Sequence, residues 1–305
     1  MNSELHRTAL TDLGVLRIGG ADAARFLQGQ VSNDLTRLGP ERTLLAGYHT
    51  PQGRTIALLR LVARAEDELL ALLPRELVST VRARLAKYVL RAKVTLTDVS
   101  AEWGISALAA AEHLADGMPA TLVPQALPQA PGACAPYAEG LVLCIGSAPA
   151  RWLAIAPADR TPGDVSPAAR DQWRLLDVRA GLTQVYAATS EHFVAQMLNL
   201  DALDAIAFDK GCYTGQEVIA RAHYRGRVKR RAQRFRSRAP LVLAPGASGV
   251  LGDGRAFEVL ESARLADGRA EFLAVTALVS AEHAEPAEGP RLEAEALELP
   301  YALEA

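Results

Sequence analysis

The stretch that most constrains this chain is Lys-Gly-Cys-Tyr-Thr-Gly-Gln-Glu at positions 210–217. Its glycines, Gly211 and Gly215, permit backbone angles or close approaches that a side chain would forbid. Thr214 and Glu217 have the spacing of a capping box, in which the hydroxyl accepts a hydrogen bond from the backbone N–H three residues on. Apolar residues at helical spacing follow. The segment therefore predicts a loop that runs into a helix capped by Thr214.

Cys212 would lie just ahead of this helix, with Lys210 two residues away. The unpaired N–H groups of a helix start and a nearby cation both favour an anion, so both favour the thiolate. The commoner explanation of a lone cysteine is a small buried hydrophobe, and a capping box often marks only a helix start. A reactive thiol and a structural residue are therefore the two alternatives at this position.

Length and composition place the chain among ordinary globular proteins. Its 305 residues suggest two or three domains, with half of the residues hydrophobic, 22% charged and a net charge of −2. No apolar run is long enough to span a bilayer, and the N-terminus has no signal-peptide core. The three cysteines, Cys134, Cys144 and Cys212, are too widely spaced for a disulfide framework or a CxxC metal site. The cytoplasm is the expected compartment.

The hydrophobic pattern indicates an α+β protein in which strands and helices mix without a doubly wound order. Strands are predicted at 10–18, 55–62, 69–73, 94–99, 141–145 and 152–155. Helices are predicted at 22–28, 74–88, 106–115 and 167–178. The short apolar runs of 240–305, broken by Gly, Asp and Pro, predict a small β-barrel or sandwich.

A polar segment at 28–34 is a candidate for binding a flat heterocycle. Its amides, including those of Gln30 and Asn33, can donate and accept hydrogen bonds. On spacing alone, a solvated loop is the commoner explanation. Both readings stay open for this segment.

A second candidate surface is the basic run from Arg221 to Arg238, which holds nine Lys or Arg and no acid. The usual explanation is a solvated basic face, with Val228, Ala232 and Phe235 on the buried side. The functional alternative is an anion site for a polyglutamate tail or for RNA phosphates. Because the run lacks the aromatic interleaving typical of RNA binding, nucleic acid ranks second.

With these residues in place, the chain resembles the YgfZ-type folate-binding proteins. These are relatives of the aminomethyltransferase (T-protein) of glycine cleavage that act in iron–sulfur cluster assembly and repair. The resemblance runs almost end to end. It rests on Gly20–Asp22, Gln28–Asp34, Pro51–Arg54, Lys87–Tyr88, Gln196–Leu200, Lys210–Glu217, Ala220–Ala222, Tyr224–Gly226 and Leu299–Tyr301.

The resemblance implies a three-domain ring built from ferredoxin-like α+β domains and a C-terminal small β-barrel. Residues 1–48 with 101–235 would form a split folate-binding domain that carries the cysteine motif. Residues 49–100 would form an inserted α+β domain, and residues 236–305 would form the barrel.

The resemblance also implies that tetrahydrofolate, or a derivative, binds in the central opening with Cys212 facing it as the functional thiol. Its neighbours at the folate would be Lys210, Gly211 and Tyr213. Trp173 matches an aromatic that lines the folate site, and Leu13 falls where some members have a second aromatic. The amides of Gln30 and Asn33 would complete the set. No residues have the spacing of a cluster-ligating or metal site, so no permanently bound metal is expected.

Three functions follow from this reading. The leading one is a folate-dependent accessory factor that meets iron–sulfur client or assembly proteins, with cluster-dependent tRNA modification affected downstream. The second is a one-carbon (aminomethyl) transferase, against which two departures count. Residues 54–59 carry no carboxylate, and Arg179 stands where the transferases tend to have a glutamate. The third is a direct tRNA-binding module that uses the basic run 221–238.

Overall fold

A computed structural model of the chain describes residues 5–110, 120–121, 127–137, 139–147, 149–160, 163–226, 228–278 and 289–303. The chain divides into two compact units. Unit 1 comprises Met1–Ala46 and Leu59–Trp173, and unit 2 comprises Gly47–Leu58 and Arg174–Ala305. This partition is coarser than the three domains predicted from sequence and does not decide their boundaries, which stay a prediction.

The described residues form four α-helices and three β-sheets. The helices are α1 Ala23–Gln28, α2 Arg75–Ala86, α3 Pro167–Arg179 and α4 Gln216–Tyr224. The strands are β1 Leu5–Ala9, β2 Leu13–Gly19, β3 Leu44–His49, β4 Thr55–Ala65, β5 Glu68–Pro74, β6 Thr95–Asp98, β7 Trp103–Ala110, β8 Ala120–Thr121, β9 Cys134–Tyr137, β10 Gly140–Ser147, β11 Ala150–Pro157, β12 Arg230–Pro240, β13 Ser248–Leu251, β14 Ala256–Arg264, β15 Arg269–Ala277, β16 Arg291–Leu292 and β17 Ala294–Leu297.

Unit 1 holds a six-stranded sheet in the order β8-β1-β7-β11-β10-β9. A five-stranded sheet has the order β3-β4-β5-β2-β6, and its strands β3 and β4 each continue into unit 2. Unit 2 holds the third sheet, β16-β13-β14-β15-β12-β17, which is nearly closed and barrel-like. The α+β class and the C-terminal β-barrel predicted from sequence are confirmed.

Helix α2 shows how apolar spacing sets an element of this fold. Leu77, Val81 and Leu85 recur every four residues and are buried. This stripe packs the helix onto β2 and β6 of the five-stranded sheet. The helix begins and ends within two residues of the predicted span. The six strands predicted between residues 10 and 155 correspond to β2, β4, β5, β6, β10 and β11.

The helix predicted at 106–115 is wrong over its described part. Residues 103–110 form strand β7, which pairs antiparallel with β1 on one side and β11 on the other. Residues 111–115 lie outside the described part of the chain. Alanine favours helices, but intrinsic propensity is weak beside two ladders of backbone hydrogen bonds and burial on both faces. The small side chains suit a central strand that is buried from 105 to 109.

The barrel-like sheet closes over an aromatic core. The rings of Phe235 and Phe272 are stacked with centroids 5.6 Å apart, and the ring of Phe257 lies 6.1 Å from that of Phe272. All three are buried. Since these residues come from β12, β14 and β15, the core ties the end of the basic run to the C-terminal strands.

Candidate functional site

The cysteine motif forms a loop that leads into α4, but the predicted capping box is wrong. Helix α4 begins at Gln216 with Gly215 as its N-cap, and no side chain among the described residues makes a capping hydrogen bond there. Instead, the Gln216 backbone N–H donates to the carbonyl oxygen of Tyr213 at 3.2 Å. The Gln216 side-chain oxygen accepts from the Tyr213 N–H at 3.4 Å. Because the cap falls at Gly215, one residue after Thr214, the Thr-x-x-Glu spacing is out of register with the helix start.

Two glycines allow this loop and α4 to pack closely against the turn at Pro51–Arg54. Gly215 has φ of 84°, and a Cβ atom there would lie 2.5 Å from the carbonyl oxygen of Thr50. Gly53 has φ of 73°, and a Cβ atom there would lie 2.8 Å from Cβ of Val218 on α4. Only glycine satisfies both the left-handed backbone and the close approach. Two motifs far apart in sequence therefore interlock within unit 2.

His49 lies beneath the interlocked glycines and is fully buried. Its Nδ1 lies 3.3 Å from the hydroxyl of Thr55, and its Nε2 has no hydrogen-bond partner in the described part of the chain. A Cβ atom on Gly47 would lie 2.3 Å from that Nε2, so a glycine makes room for the ring. Burial lowers the pKa of His49 to about 3, which keeps the ring neutral. Sequence reasoning did not single out this histidine.

The three cysteines differ sharply in exposure. Cys212 is exposed, whereas Cys134 and Cys144 are buried, and all three are free thiols. The Cys134 thiol donates to the carbonyl of Pro40 at 3.2 Å. Burial raises the pKa of Cys134 and of Cys144. Cys212 is therefore the thiol that a reagent or a partner can reach.

The neighbours predicted for Cys212 lie together on its loop in unit 2. Lys210 Nζ lies 5.0 Å from the ring centroid of Tyr213. Tyr213 is buried, and burial raises its pKa to about 12, so the phenol stays neutral. A Cβ atom on Gly211 would meet nothing within 4 Å, so that glycine borders open space. A buried tyrosine thus anchors a loop on which the thiol is exposed and the lysine is half-buried over the tyrosine ring.

The predicted aromatic contact, Trp173, lies on α3 at the last position of unit 1 and is only 6% exposed. The guanidinium of the buried Arg151 lies 5.6 Å from its ring centroid. Leu13 opens β2 opposite Pro74 and is half-buried. Whether Trp173 and Leu13 contact a ligand stays a prediction.

Gln30 and Asn33, also in unit 1, differ in how their amides are used. The Asn33 Nδ2 donates to the carbonyl of Leu45 at 2.7 Å, and its Oδ1 accepts from the Asp34 N–H at 2.8 Å. Asn33 is thus engaged in shaping its own loop. The Gln30 Oε1 is buried and has no partner among the described residues. A buried amide oxygen of this kind is an acceptor available to a ligand.

Part of the basic run is committed to the protein interior. Arg231 is buried, and its two terminal nitrogens lie 2.9 and 2.8 Å from the carboxylate oxygens of Asp201. A paired, planar arrangement of this kind holds β12 to the segment before the motif. The prediction that Ala232 and Phe235 lie on the buried side of the run is confirmed, and Val228 is half-buried.

Glu271 forms ion pairs with three further arginines within unit 2. The fully buried Glu271 carboxylate binds Arg234, lies 3.2 Å from Arg236 and lies 3.4 Å from Arg179 of α3. Burial acts to raise the pKa of Glu271, but hydrogen bonding and the charge of Arg234 outweigh it and lower that pKa. Arg179, read from sequence as a departure from the transferases, therefore serves as an internal ion-pair partner.

No helix within the described ranges is long and apolar enough to cross a membrane. Among the same residues, no three or more His, Cys, Asp and Glu side chains are grouped so that they could hold a metal ion.

The fold is that of the glycine-cleavage aminomethyltransferases. The crystal structure of aminomethyltransferase T from Bartonella henselae superposes with a TM-score of 0.67 and covers 90% of this chain and 79% of that one. The sequences are 15% identical, so the likeness concerns the fold alone. No family model matches the sequence.

Comparison with curated sequences gives the family. The chain is 32% identical over 276 residues to the tRNA-modifying protein YgfZ of Cronobacter sakazakii, covering 86% of this chain and 81% of that protein. It is 33% identical over 254 residues to that of Yersinia pestis, covering 78% and 73%. The chain belongs to the YgfZ family.

Proposed function

We propose that this protein is a tetrahydrofolate-binding accessory factor for the assembly or repair of iron–sulfur clusters, with Cys212 as its reactive thiol. Its relatives carry the name tRNA-modifying protein, and tRNA modification by cluster-dependent enzymes would depend on this support. The observation that carries the proposal is the exposure of Cys212, alone among three cysteines, on a loop held by interlocked glycines.

The folate part of the proposal rests on unit 1. A pterin is flat and carries N–H donors, so it suits the buried acceptor left unpaired on Gln30. Trp173 offers an aromatic ring for packing, of which a small part is exposed. These two residues would hold the ring system. When bound, tetrahydrofolate would supply a carrier for a one-carbon unit.

The thiol part rests on unit 2. A thiolate is the form of cysteine that ligates iron and attacks electrophiles. Lys210, two residues before Cys212 and positioned over the buried Tyr213 ring, supplies positive charge to the same loop. The cluster or its iron would be cargo, ligated in passing by Cys212 and by groups of the client protein.

Titration of the purified protein with tetrahydrofolate, followed by tryptophan fluorescence, tests the folate part. We expect saturable quenching, and Trp173→Ala should weaken binding several-fold because an aromatic stack typically contributes about 0.5–1.5 kcal/mol beyond lost area. Gln30→Ala should weaken it as well. Trp103→Phe, in β7, is the matched control and should bind like wild type. A titration without saturation would reject folate binding.

Replacement of the cysteine tests the thiol part. Cys212→Ala should bind tetrahydrofolate like wild type yet fail to restore iron–sulfur enzyme activity in cells that lack the protein, whereas Cys134→Ala should restore it. The aminomethyltransferase alternative makes the opposite prediction. It requires measurable methylene transfer from an aminomethyl donor to tetrahydrofolate, and that transfer would survive the loss of Cys212.

A further inference from the structure

Three aromatic side chains, one just before the cysteine motif and two at the end of α4, form a cluster. The rings of Phe208 and His223 are stacked, with centroids 3.8 Å apart and an interplanar angle of 13°. Tyr224 meets both edge-on, at 6.1 Å from Phe208 and 4.7 Å from His223. Each ring thus limits the orientation of the next. Phe208, His223 and Tyr224 are called the aromatic platform below.

The aromatic platform faces solvent. Tyr224 is 67% exposed and His223 is also exposed, while Phe208 is half-buried. A large ring left in water gains nothing from burial, and its orientation here is already restricted by its neighbours. A preoriented, solvent-facing ring is what a stacking ligand meets at low entropic cost.

Exposed cations flank the platform residues in the sequence. Arg221 lies one helical turn before Tyr224 on α4, and Arg225 directly follows it. The Arg225 backbone N–H donates to the Arg221 carbonyl at 3.0 Å, so the last turn continues through Arg225. Arg221 and Arg225 therefore share one face. Lys229 and Arg230 follow, and both are exposed.

None of these four cations has an acidic partner among the described residues. The acids nearest in sequence, Asp209 and Glu217, are exposed and form no ion pair with them there. The contrast lies within the same basic run, because Arg231, Arg234 and Arg236 are all engaged by buried or half-buried carboxylates. Internal ion pairing therefore accounts for Arg231, Arg234 and Arg236, whereas the four cations of the first half, like the exposed Arg238, have no such pairing among the described residues.

We infer that the aromatic platform and its four cations bind single-stranded RNA, with an unpaired base stacked on Tyr224 and phosphates on Arg221 and Arg225. Stacking platforms flanked by cations suit single strands, because bases in a duplex are already stacked on each other. An acidic peptide would satisfy the cations but leave the rings without a partner. The choice of RNA over DNA rests on the proposed function, since the enzymes supported there act on tRNA.

The test is fluorescence anisotropy of the full chain with a short labelled RNA single strand, in the absence of folate. Tyr224→Ala should weaken binding about 30-fold, the middle of the range for loss of one stacked base, and Tyr224→Phe should stay within about twofold of wild type. Arg221→Gln should reduce the slope of log affinity against log salt by about 0.7, as expected for one phosphate contact to a single strand. Because Tyr224 is largely exposed, both tyrosine variants should keep the wild-type melting temperature.

Two exposed residues that belong neither to the aromatic platform nor to its four cations serve as matched controls. Tyr88→Ala and Arg264→Gln should bind the strand like wild type. Equal losses for these controls and for the surface variants would overturn the inference. So would a duplex bound as tightly as the single strand, a DNA strand bound more tightly than RNA, or binding of polyglutamate without binding of RNA. Gln30→Ala and Cys212→Ala should bind RNA like wild type, so failure of the folate or thiol proposal leaves this one standing.

Discussion

A Cβ atom on Gly215 would lie 2.5 Å from the carbonyl oxygen of Thr50, closer than side chains come to a backbone atom. Gly215 also has φ of 84°, so two separate constraints select glycine. This approach joins the loop of Cys212 to a turn far earlier in the chain. The position of the thiol therefore depends on a contact that the cysteine itself does not make.

Substitution at the two motif glycines should show how much the close approach to Thr50 contributes to stability, apart from the effect of removing a glycine from the loop. Gly215→Ala forces an alanine into a left-handed conformation and into Thr50, so it should destabilise the protein by about 1–3 kcal/mol. Gly211→Ala meets nothing within 4 Å and should be nearly neutral. Denaturant midpoints of the two variants measure the difference. Equal midpoints would show that the loop can move away from Thr50 without a loss of folding free energy.

The thiols should differ in reactivity under native conditions. Brief exposure to iodoacetamide near neutral pH should alkylate Cys212 well before Cys134 or Cys144, because only Cys212 is exposed and burial raises the pKa of the other two. Mass-spectrometric mapping of the labelled sites measures this order. In denaturant the three rates should converge, and equal labelling of the native protein would contradict the assignment.

The stability of the barrel should depend on pH through Glu261. Burial raises the pKa of Glu261 to about 7, against the opposing effects of Arg174 and of the Tyr186 hydroxyl, which donates to it. The folded state therefore holds a proton that the unfolded chain, with an ordinary pKa of about 4.3, has lost. This stabilisation is fully present below about pH 4 and is lost as the pH rises through about 7.

Glu261→Gln removes that titration while keeping a hydrogen-bonding side chain. Relative to wild type, the variant should gain stability between pH 4 and pH 8 by up to about 3–4 kcal/mol, the energy equivalent of the raised pKa. Urea unfolding at several pH values measures the difference. The exposed Glu295→Gln is the control and should follow wild type throughout. A constant difference between Glu261→Gln and wild type at all pH values would refute the assignment.

Loss of the buried Glu271 carboxylate should be costly. Glu271→Gln leaves Arg179, Arg234 and Arg236 without their shared counter-charge. We expect a loss of about 3 kcal/mol, the lower end of the range for breaking a buried pair, because the three guanidinium groups are partly exposed. Thermal and urea unfolding provide the measurement, with Glu295→Gln as control. If the two variants unfold alike, the carboxylate does not stabilise the barrel.

Local signals in the sequence located most elements, and their failures share one cause. Helix α2 was predicted within two residues because its apolar stripe lies within one element. The alanine-rich segment that begins at 106 was predicted as a helix, yet its described part is β7, since pairing with β1 and β11 depends on distant strands. The N-cap of α4 is Gly215 and not the predicted Thr214, again because of a contact with a distant segment. The approach of Thr50 favours glycine at position 215.

By itself, the sequence determined the α+β class, the barrel-forming C-terminal strands and the place of the cysteine motif at a helix start. These depend on apolar period, turn residues and glycines acting over a few positions. Only the tertiary structure decided which cysteine is exposed, which arginines are paired internally and which rings meet beside α4. Exposure, ion pairing and ring stacking depend on contacts between segments that are distant in the chain. A local sequence pattern therefore does not predict them. The basic run 221–238 is the clearest example. Its arginines look alike in the sequence, and only the position of β12 in its sheet decides which of them are paired in the interior and which stay at the surface.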